Sequence, residues 1–418
     1  MTIGAGEDTF KELTVEELRA KVGTGMPIDD PEEHMLLSMG PQHPSTHGVL
    51  RLLVELDGEN IVNLAPDIGF LHTGVEKNME SKTYTKALVM TDRLDYLSPM
   101  SNNLAYILAV EKLLGVEATP RAQAIRVILC ELARISSHLV WLATHALDLA
   151  AMSVFLYCFR EREYILDIFE MVAGQRMMVS YFRPGGLWRD VPEEFEPAVR
   201  QFLDFFPSRI ADYEALLKDN PIWLERTKGI GVISGEDAVA WGLTGPSLRG
   251  SGVDWDYRKV MPYSGYEQYE FDVPVETDGD VYARYRCRMR EMWESLRIIR
   301  QALDKLPQGP VNISDRKIVP PPRSELGHSM EAVIHHFKLW TEGFSAPEGF
   351  VYQSVESPRG EFSVYLRGDG SPRPARVHFR TPSYVNLASL PLLSKGAFIA
   401  DVVAIIGSID IVLGEIDR

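Results

Sequence analysis

The chain has 418 residues, 45% of them apolar, with 43 basic and 59 acidic side chains and a net charge of −16. That length holds one large domain or two to three ordinary ones around a sizeable core, which excludes collagen-like, disordered and disulfide-stapled chains. The acidic balance argues against nucleic acid as the main partner, because a phosphate backbone calls for a basic face.

The first 33 residues hold nine acids and three bases. A secretory signal needs a basic start and an apolar stretch, and a transit peptide is poor in acids, so the segment reads as neither. A short amphipathic helix is expected around 14–21, then a flexible run to Pro31. From His34 onward the pattern changes. Residues 49–56 alternate as a strand, Asp57-Gly58-Glu59-Asn60 reads as a hairpin turn and Ile61 to Ala65 as its partner. Helices are expected at 74–90 and 102–114, the second capped by Ser101-Asn102 and closed at Gly115. The longest helical pattern runs over 121–173, as one helix or as two broken near Ala151. Ile135, His138, Leu139, Leu142, Ala146 and Leu149 form one stripe, and Trp141, Met152 and Phe155 cover the other side, so this helix should be buried. A membrane span over 137–159 is disfavoured by His138, His145 and Asp148, Asp alone costing about 2.5–3.5 kcal/mol at a bilayer centre. Further helices are expected at 195–218, 281–306, 328–342 and 394–406, and a small sheet from 350–355, 361–367 and 375–380. The sum is an α+β fold, a buried bundle of long helices flanked by small, mostly antiparallel sheets. Its expected divisions are an acidic segment (1–33), a β region with a histidine loop (34–72), a helical core (73–310) and a C-terminal α/β region with a buried tail (311–418).

Cys130, Cys158 and Cys287 form no CxxC, so neither a zinc ribbon nor an iron–sulfur cluster held by this chain alone is expected, and a reducing compartment is the default. Nucleotide loops of the GxxxxGK[ST] kind are missing, and Gly229-Ile230-Gly231 half-matches a dinucleotide loop without a clean strand before it. The densest polar cluster is Gly40-Pro41-Gln42-His43-Pro44-Ser45-Thr46-His47-Gly48. Its prolines forbid a helix, so His43 and His47 cannot form an i, i+4 metal pair; the loop presents two imidazoles, as a ligand site or as an ordinary surface loop. Thr91-Asp92-Arg93-Leu94-Asp95-Tyr96 sets a phenol among an arginine and two carboxylates, either to donate a proton or to make a local ion-pair network. Asp148, among apolar neighbours at helical spacing, must be protonated, paired or facing a cavity; an imidazolium partner would make a proton relay, and a structural ion pair is the alternative. Arg284, Arg286, Arg288 and Arg290, with Arg297, Arg300, Glu291 and Glu294, read as a solvated or partner-facing surface. His335-His336 reads as satisfied helix histidines.

Together these segments resemble the 49-kDa-type (D-type) subunit family of NADH-quinone oxidoreductase, respiratory complex I. The resemblance runs from about His34 to Arg418 and rests on residues 39–51, Leu71-His72-Thr73-Gly74-Val75-Glu76-Lys77, Asp92 to Tyr96 and Pro262-Tyr263-Ser264-Gly265-Tyr266-Glu267, with 229–231, 243–252 and 383–390 agreeing. That family is similar in fold to the large subunit of nickel–iron hydrogenases. At the positions matching the hydrogenase thiolates this chain has Asp95, Ser98, Val412 and Glu415, so the soft ligands nickel needs are gone and a hydrogenase reading is excluded. Ile411 departs from the proline usual in the family.

The resemblance implies a quinone bound in the vacated metal pocket, with His47 and Tyr96 on its headgroup, His43 nearby and Asp148 paired with the histidine. It implies that Tyr96 and a protonated His47 supply protons to the reduced quinone, and that the uncompensated Asp148 starts the coupling to proton pumping. Arg93 and Arg418 are implied to lie near a [4Fe–4S] cluster held by the B-type subunit, with the C-type, I-type and membrane-embedded H-type subunits as further partners. No metal or nucleotide is expected on this chain, which would act only within the complex, peripheral on the cytoplasmic side of a bacterial inner membrane. A catalytically silent scaffold is the competing reading.

Overall fold

The computed structural model describes residues 34–418. The acidic segment 1–33, with the helix expected at 14–21, lies outside the described residues.

Three strands open the fold. β2 (Arg51–Asp57) and β3 (Asn60–Asp67) pair antiparallel around the expected turn, and β1 (Met35–Met39) adds to the other side of β2. β1 has no counterpart among the sequence expectations. It is an edge strand with no fully buried residue, so it carries none of the alternation that a half-buried strand shows.

The segment 74–90 is two helices, α1 (Val75–Glu80) and α2 (Tyr84–Thr91), rather than one, because Thr83 takes an extended conformation between them. α3 (Pro99–Leu114) starts three residues before its expected first residue: Pro99 fills the first turn, where a missing N–H costs nothing. Ser101 and Asn102 are therefore not caps but buried residues of the helix, which closes at Gly115 as expected, in the left-handed region.

α4 (Pro120–Asp148) begins at a Thr119 cap, whose hydroxyl accepts from the Ala122 N–H at 3.4 Å. The chain breaks at Leu149–Ala151, with Ala150 at φ 70°, and resumes as α5 (Met152–Ala173). Among the described residues α4 is the one helix long and apolar enough to cross a bilayer, yet 89% of its most apolar window is buried within the protein. It packs on α5 and on α7 (Val281–Asp304), and α6 (Phe195–Leu217) packs on both of those. The stripe from Ile135 to Leu149 is buried as expected, and so is Trp141, but Met152 is 61% exposed and Phe155 only half-buried. The break at 149–151 restarts the helical phase, so a stripe drawn straight through it fails.

β4 (Phe182–Arg183) and β5 (Gly186–Leu187) form a small hairpin. After α8 (Met330–Thr341) comes a second three-stranded antiparallel sheet, β6 (Gly349–Ser357), β7 (Gly360–Gly368) and β8 (Arg376–Arg380). The final helix is α9 (Ile399–Ile409), later than the 394–406 expected, because Lys395 is extended and Gly396 left-handed; the tail adds α10 (Leu413–Asp417).

Two apolar cores result. One fills the helical bundle and the inner face of the second sheet. The other joins the first sheet, through Leu50, Leu52, Val54 and Leu64, to Ile405, Ile409, Leu413 and Ile416 of the C-terminal tail. The two ends of the described chain thus share one core, which brings the histidine loop against α9.

The arginines of α7 divide by helical phase. Arg284, Arg288 and Glu291 are buried on one stripe, while Arg286, Arg290, Arg297 and Arg300 face outward, so the expectation of a solvated surface holds for four of the six arginines and fails for Arg284 and Arg288. The buried stripe feeds a charge network in the bundle. Glu131 accepts from Tyr266 Oη at 2.7 Å and Ser295 Oγ at 2.6 Å and pairs with Arg134 and Arg258; Arg249 bridges Glu291 and Glu356; His138 Nε2 lies 2.8 Å from Glu291.

α4 and α9 cross closely. Trp141 Nε1 donates to the Gly407 carbonyl at 2.7 Å, and a Cβ on Gly407 would stand 2.5 Å from His145 Cδ2. His145 is fully buried between Trp141 and Trp223, and burial holds its pKa down to about 3, so its ring is neutral and cannot retreat into water. Gly407→Ala is expected to destabilise the protein by about 1–3 kcal/mol through overpacking, read as a lowered thermal inactivation midpoint of the assembled complex.

Candidate functional site

Residues 40–50 form a tight loop rather than a helix, with one 3-10 turn at Pro44–Thr46. Thr46 is buried, its hydroxyl donating to the carbonyls of Pro41 (3.2 Å) and His43 (3.0 Å), and the Leu50 N–H closes the loop on the Thr46 carbonyl at 3.2 Å. The His43 ring is committed locally, accepting from the Ser45 N–H at 3.2 Å. His47 follows the turn in the left-handed region, φ 58°. Its side chain remains accessible, yet burial is the largest influence on it and pushes its pKa below the usual 6.5, with Asp410 opposing that shift and Arg359 adding to it. A ring that is reachable but surrounded by protein lines a recess rather than an open surface.

The segment 91–98 is held by α3. Asn102 donates to the carbonyls of Thr91 and Asp95 at 3.0 Å each, and Asn103 donates to Asp92 at 2.7 Å. Asp92 also accepts from Ser180 and is a structural anchor. Asp95 is fully buried and binds Arg359 Nη1 at 2.6 Å; Arg359 Nη2 reaches Asp410 at 3.2 Å, and Ser137 Oγ accepts from Nη1 at 2.9 Å. Tyr96, next along the chain, is half-buried. Burial raises its pKa above 10, with Asp95 and Glu415 adding to the rise and Arg359 resisting it. Gly414 is what lets the tail approach: a Cβ there would meet the Leu94 carbonyl at 2.5 Å and Tyr96 Cδ1 at 3.4 Å.

Asp95 and Glu415, both fully buried, thus lie close enough for each to act on the other's charge. Glu415 is fully buried, accepts from the Ser383 N–H at 2.9 Å, and burial together with Asp95 holds its pKa up at about 8. Val412 donates its N–H to Ser383 Oγ at 3.1 Å, and Ser98 shares a hydrogen bond with Ser101 at 2.9 Å. Arg288 stacks over the Trp141 ring at 4.5 Å and lies 3.9 Å from Asp410.

Asp148 corrects one expectation. It is exposed at the C-terminal end of α4, not buried among Trp141, Met152 and Phe155. Partial desolvation still raises its pKa, and the histidine acting on it is His43 rather than His47. Arg93 is exposed, donates to the Val89 carbonyl at 2.8 Å, and borders a cleft of about 290 Å³ lined also by Asp92, Met178, Arg183 and Trp188. Arg418 lies elsewhere, pairing with Glu76 at 3.3 Å over the Tyr384 ring. Asp417 beside it accepts from the N–H groups of Gly69 (2.8 Å) and Leu71 (2.7 Å), so the tail clamps the stretch that leads into Leu71–Lys77. His47 and Tyr96 thus both feel the charge of Arg359, while Asp148, Arg93 and Arg418 lie at separate places with other partners.

Sequence reasoning missed Arg359. It sits in the β6–β7 turn, Ser357-Pro358-Arg359-Gly360, where an arginine reads as a solvated hairpin tip; only its burial reveals its role. Among the described residues no three His, Cys, Asp or Glu side chains are grouped to hold a metal ion, and the three cysteines are buried and free.

The class of protein this defines is an α+β scaffold with a buried acid–guanidinium cluster whose charge reaches an imidazole and a phenol. The sequence model of the family described as respiratory-chain NADH dehydrogenase, 49 Kd subunit, matches residues 148–418. The second D-type subunit of NADH-quinone oxidoreductase from Roseiflexus sp. (strain RS-1) is 63% identical over 417 residues, covering 97% of this chain and 100% of that relative. The second D-type subunit of Chloroflexus aurantiacus is 64% identical over 92% of this chain and 95% of its own length, and the D-type subunit of Geotalea uraniireducens is 60% identical over 92% and 99%. The chain belongs to this 49-kDa, D-type subunit family of respiratory complex I.

Arg359 carries the pocket's electrostatics. Arg359→Met leaves Asp95 and Asp410 buried without their shared cation and is expected to cost about 3–5 kcal/mol, seen as loss of the chain from the purified complex. Arg359→Lys should retain part of the assembly.

Proposed function

We propose that this chain forms the quinone-reducing surface of a proton-translocating NADH:quinone oxidoreductase, with His47 and Tyr96 addressing the quinone headgroup. One observation carries the reading: a phenol and an imidazole from segments about fifty residues apart both lie within the electrostatic reach of Arg359, itself fixed by two buried carboxylates.

Reduction by two electrons makes both quinone oxygens basic, so the site must present two protons without flooding with water. Tyr96 keeps its proton through the physiological range and offers it to one oxygen. His47 is neutral at pH 7, because burial lowers its pKa, and it offers one N–H as a hydrogen bond. To act as an acid it must first be protonated, which Asp410 favours and Arg359 opposes. Burial raises the Asp148 pKa and His43 opposes that rise, so the carboxyl at the end of α4 is tied electrostatically to the histidine loop, and a change of charge at Asp148 is the event read by the membrane subunits.

Electrons reach the site from a [4Fe–4S] cluster held by a partner, the B-type subunit, that docks on the side of Arg93, where the cleft beside Trp188 is open to a neighbour. The C-type, I-type and H-type subunits complete its surroundings. The protein then lies peripherally on the cytoplasmic face of a bacterial inner membrane, its contact with lipid made through the complex.

In assembled complex, Tyr96→Phe is expected to lower NADH:quinone reduction by about 100-fold while NADH oxidation by an artificial acceptor survives. A wild-type quinone rate would support the scaffold reading; a parallel fall of both activities would trace the effect to assembly.

A further inference from the structure

Three carboxylates, Asp95, Asp410 and Glu415, share the pocket with two guanidinium groups, Arg359 and Arg288. Arg359 binds Asp95 and Asp410, and Arg288 approaches Asp410 at 3.9 Å. Glu415 is the member with no ion pair to a cation among the described residues. Its Oε1 accepts from the Ser383 N–H, and its Oε2 is buried with no hydrogen-bond partner. An ionised carboxylate with an orphaned buried oxygen and no paired cation is too costly to keep; Asp410 also has an orphaned oxygen but holds Arg359, so the charge count and the geometry leave the proton on Glu415.

We infer that Glu415 is the proton reserve of Tyr96, standing as a neutral acid beside the phenol and returning a proton to it after each turnover. This rests on the proposed role of Tyr96 as donor to the quinone. In the step, the Tyr96 O–H breaks and its proton goes to an oxygen of the reduced quinone, leaving a phenolate. The Glu415 O–H then breaks and its proton passes through an intervening water to re-form the phenol, because neither carboxyl oxygen bonds Tyr96 directly; Glu415 is left as a carboxylate that takes its next proton from water.

Three observations support it. Glu415 and Tyr96 flank the same contact, since Gly414 packs on the Leu94 carbonyl and the Tyr96 ring. Each feels the charge of Asp95 and of Arg359, and Tyr96 feels that of Glu415. The transfer also runs downhill, from an acid of pKa about 8 to a phenolate whose conjugate acid lies above 10. The charged and titratable groups that act on or feel Glu415 are Asp95 and Tyr96 from the loop after α2 and Arg359 from the β6–β7 turn, with Asp410, between α9 and α10, on the far side of Arg359. Behind Asp410 stand Arg288 of α7 and His47 of the histidine loop. Asp417, on the same short helix, is engaged by the Gly69 and Leu71 N–H groups.

The working form of Glu415 is protonated, so it is fully present below about pH 8 and lost as the pH rises through that value. Wild-type quinone reduction should therefore decline on this alkaline limb. In assembled complex, Glu415→Gln keeps the size and the Ser383 bond but cannot release a proton. It is expected to lower quinone reduction about tenfold, to abolish the limb near pH 8, and to leave artificial-acceptor reduction unchanged. Glu415→Asp restores an acid and should recover much of the rate together with an alkaline limb. A Gln variant with the wild-type rate, a limb that persists in it, or an Asp variant no better than Gln would each overturn the inference. If Tyr96→Phe still impairs quinone reduction while Glu415→Gln does not, the relay fails and the quinone-site reading stands; if neither variant has an effect, both fail.

Discussion

A single guanidinium holds the site together. Arg359 has no exposed surface, yet its charge is shared between Asp95, which precedes α3, and Asp410, which follows α9, with Ser137 of α4 as a third partner. A buried cation is tolerable only with such partners, and removing one side leaves an uncompensated charge. The consequence is geometric: a hairpin turn, an interhelical loop, the C-terminal tail and the longest helix meet at one point. Both His47 and Asp410 are held in the left-handed region, at φ 58° and 49°. Non-glycine residues adopt that conformation at a cost, which the surrounding packing sustains.

The molecule contains two buried charge networks of different character. In the bundle, Glu131 receives two hydroxyl donors and two arginines, and Arg249 bridges two carboxylates. Buried networks whose carboxylates are all paired rigidify a core. The motif Pro262–Glu267 finds its reason here, because Tyr263 and Tyr266 both turn their hydroxyls into this network. Around Arg359 the satisfaction is incomplete: Arg288 Nε and Nη2, Asp410 Oδ2 and Glu415 Oε2 are buried without hydrogen-bond partners. The bundle network has orphans too, at Arg249 Nε and His138 Nδ1, but each of its carboxylates Glu131, Glu291 and Glu356 is paired with an arginine, whereas Glu415 is not.

Much of the fold was legible. Long amphipathic periods gave α4, α6 and α7 and the break near Ala151, and alternation gave β2, β3 and the second sheet, because each of those signals is local. The misses share a cause. β1 is a half-exposed edge, α3 begins at a proline whose role as a first-turn residue competes with the polar pair after it, and the arginines of α7 look alike until helical phase divides them into buried and exposed. Met152 fell on the wrong side because the break resets that phase.

The amino-acid order by itself determined the family, through long motifs such as residues 40–48. It also determined which segments would be helix or strand, since backbone preference and apolar spacing act over a few residues. Only the tertiary structure decided which charges share a pocket. Arg359 lies 264 positions from Asp95, and no local pattern records a pairing made by burial across that distance. The same holds for Asp148, whose helix ends in the open rather than in the core, and for Glu415, whose neutral state follows from what surrounds it and not from its neighbours in sequence.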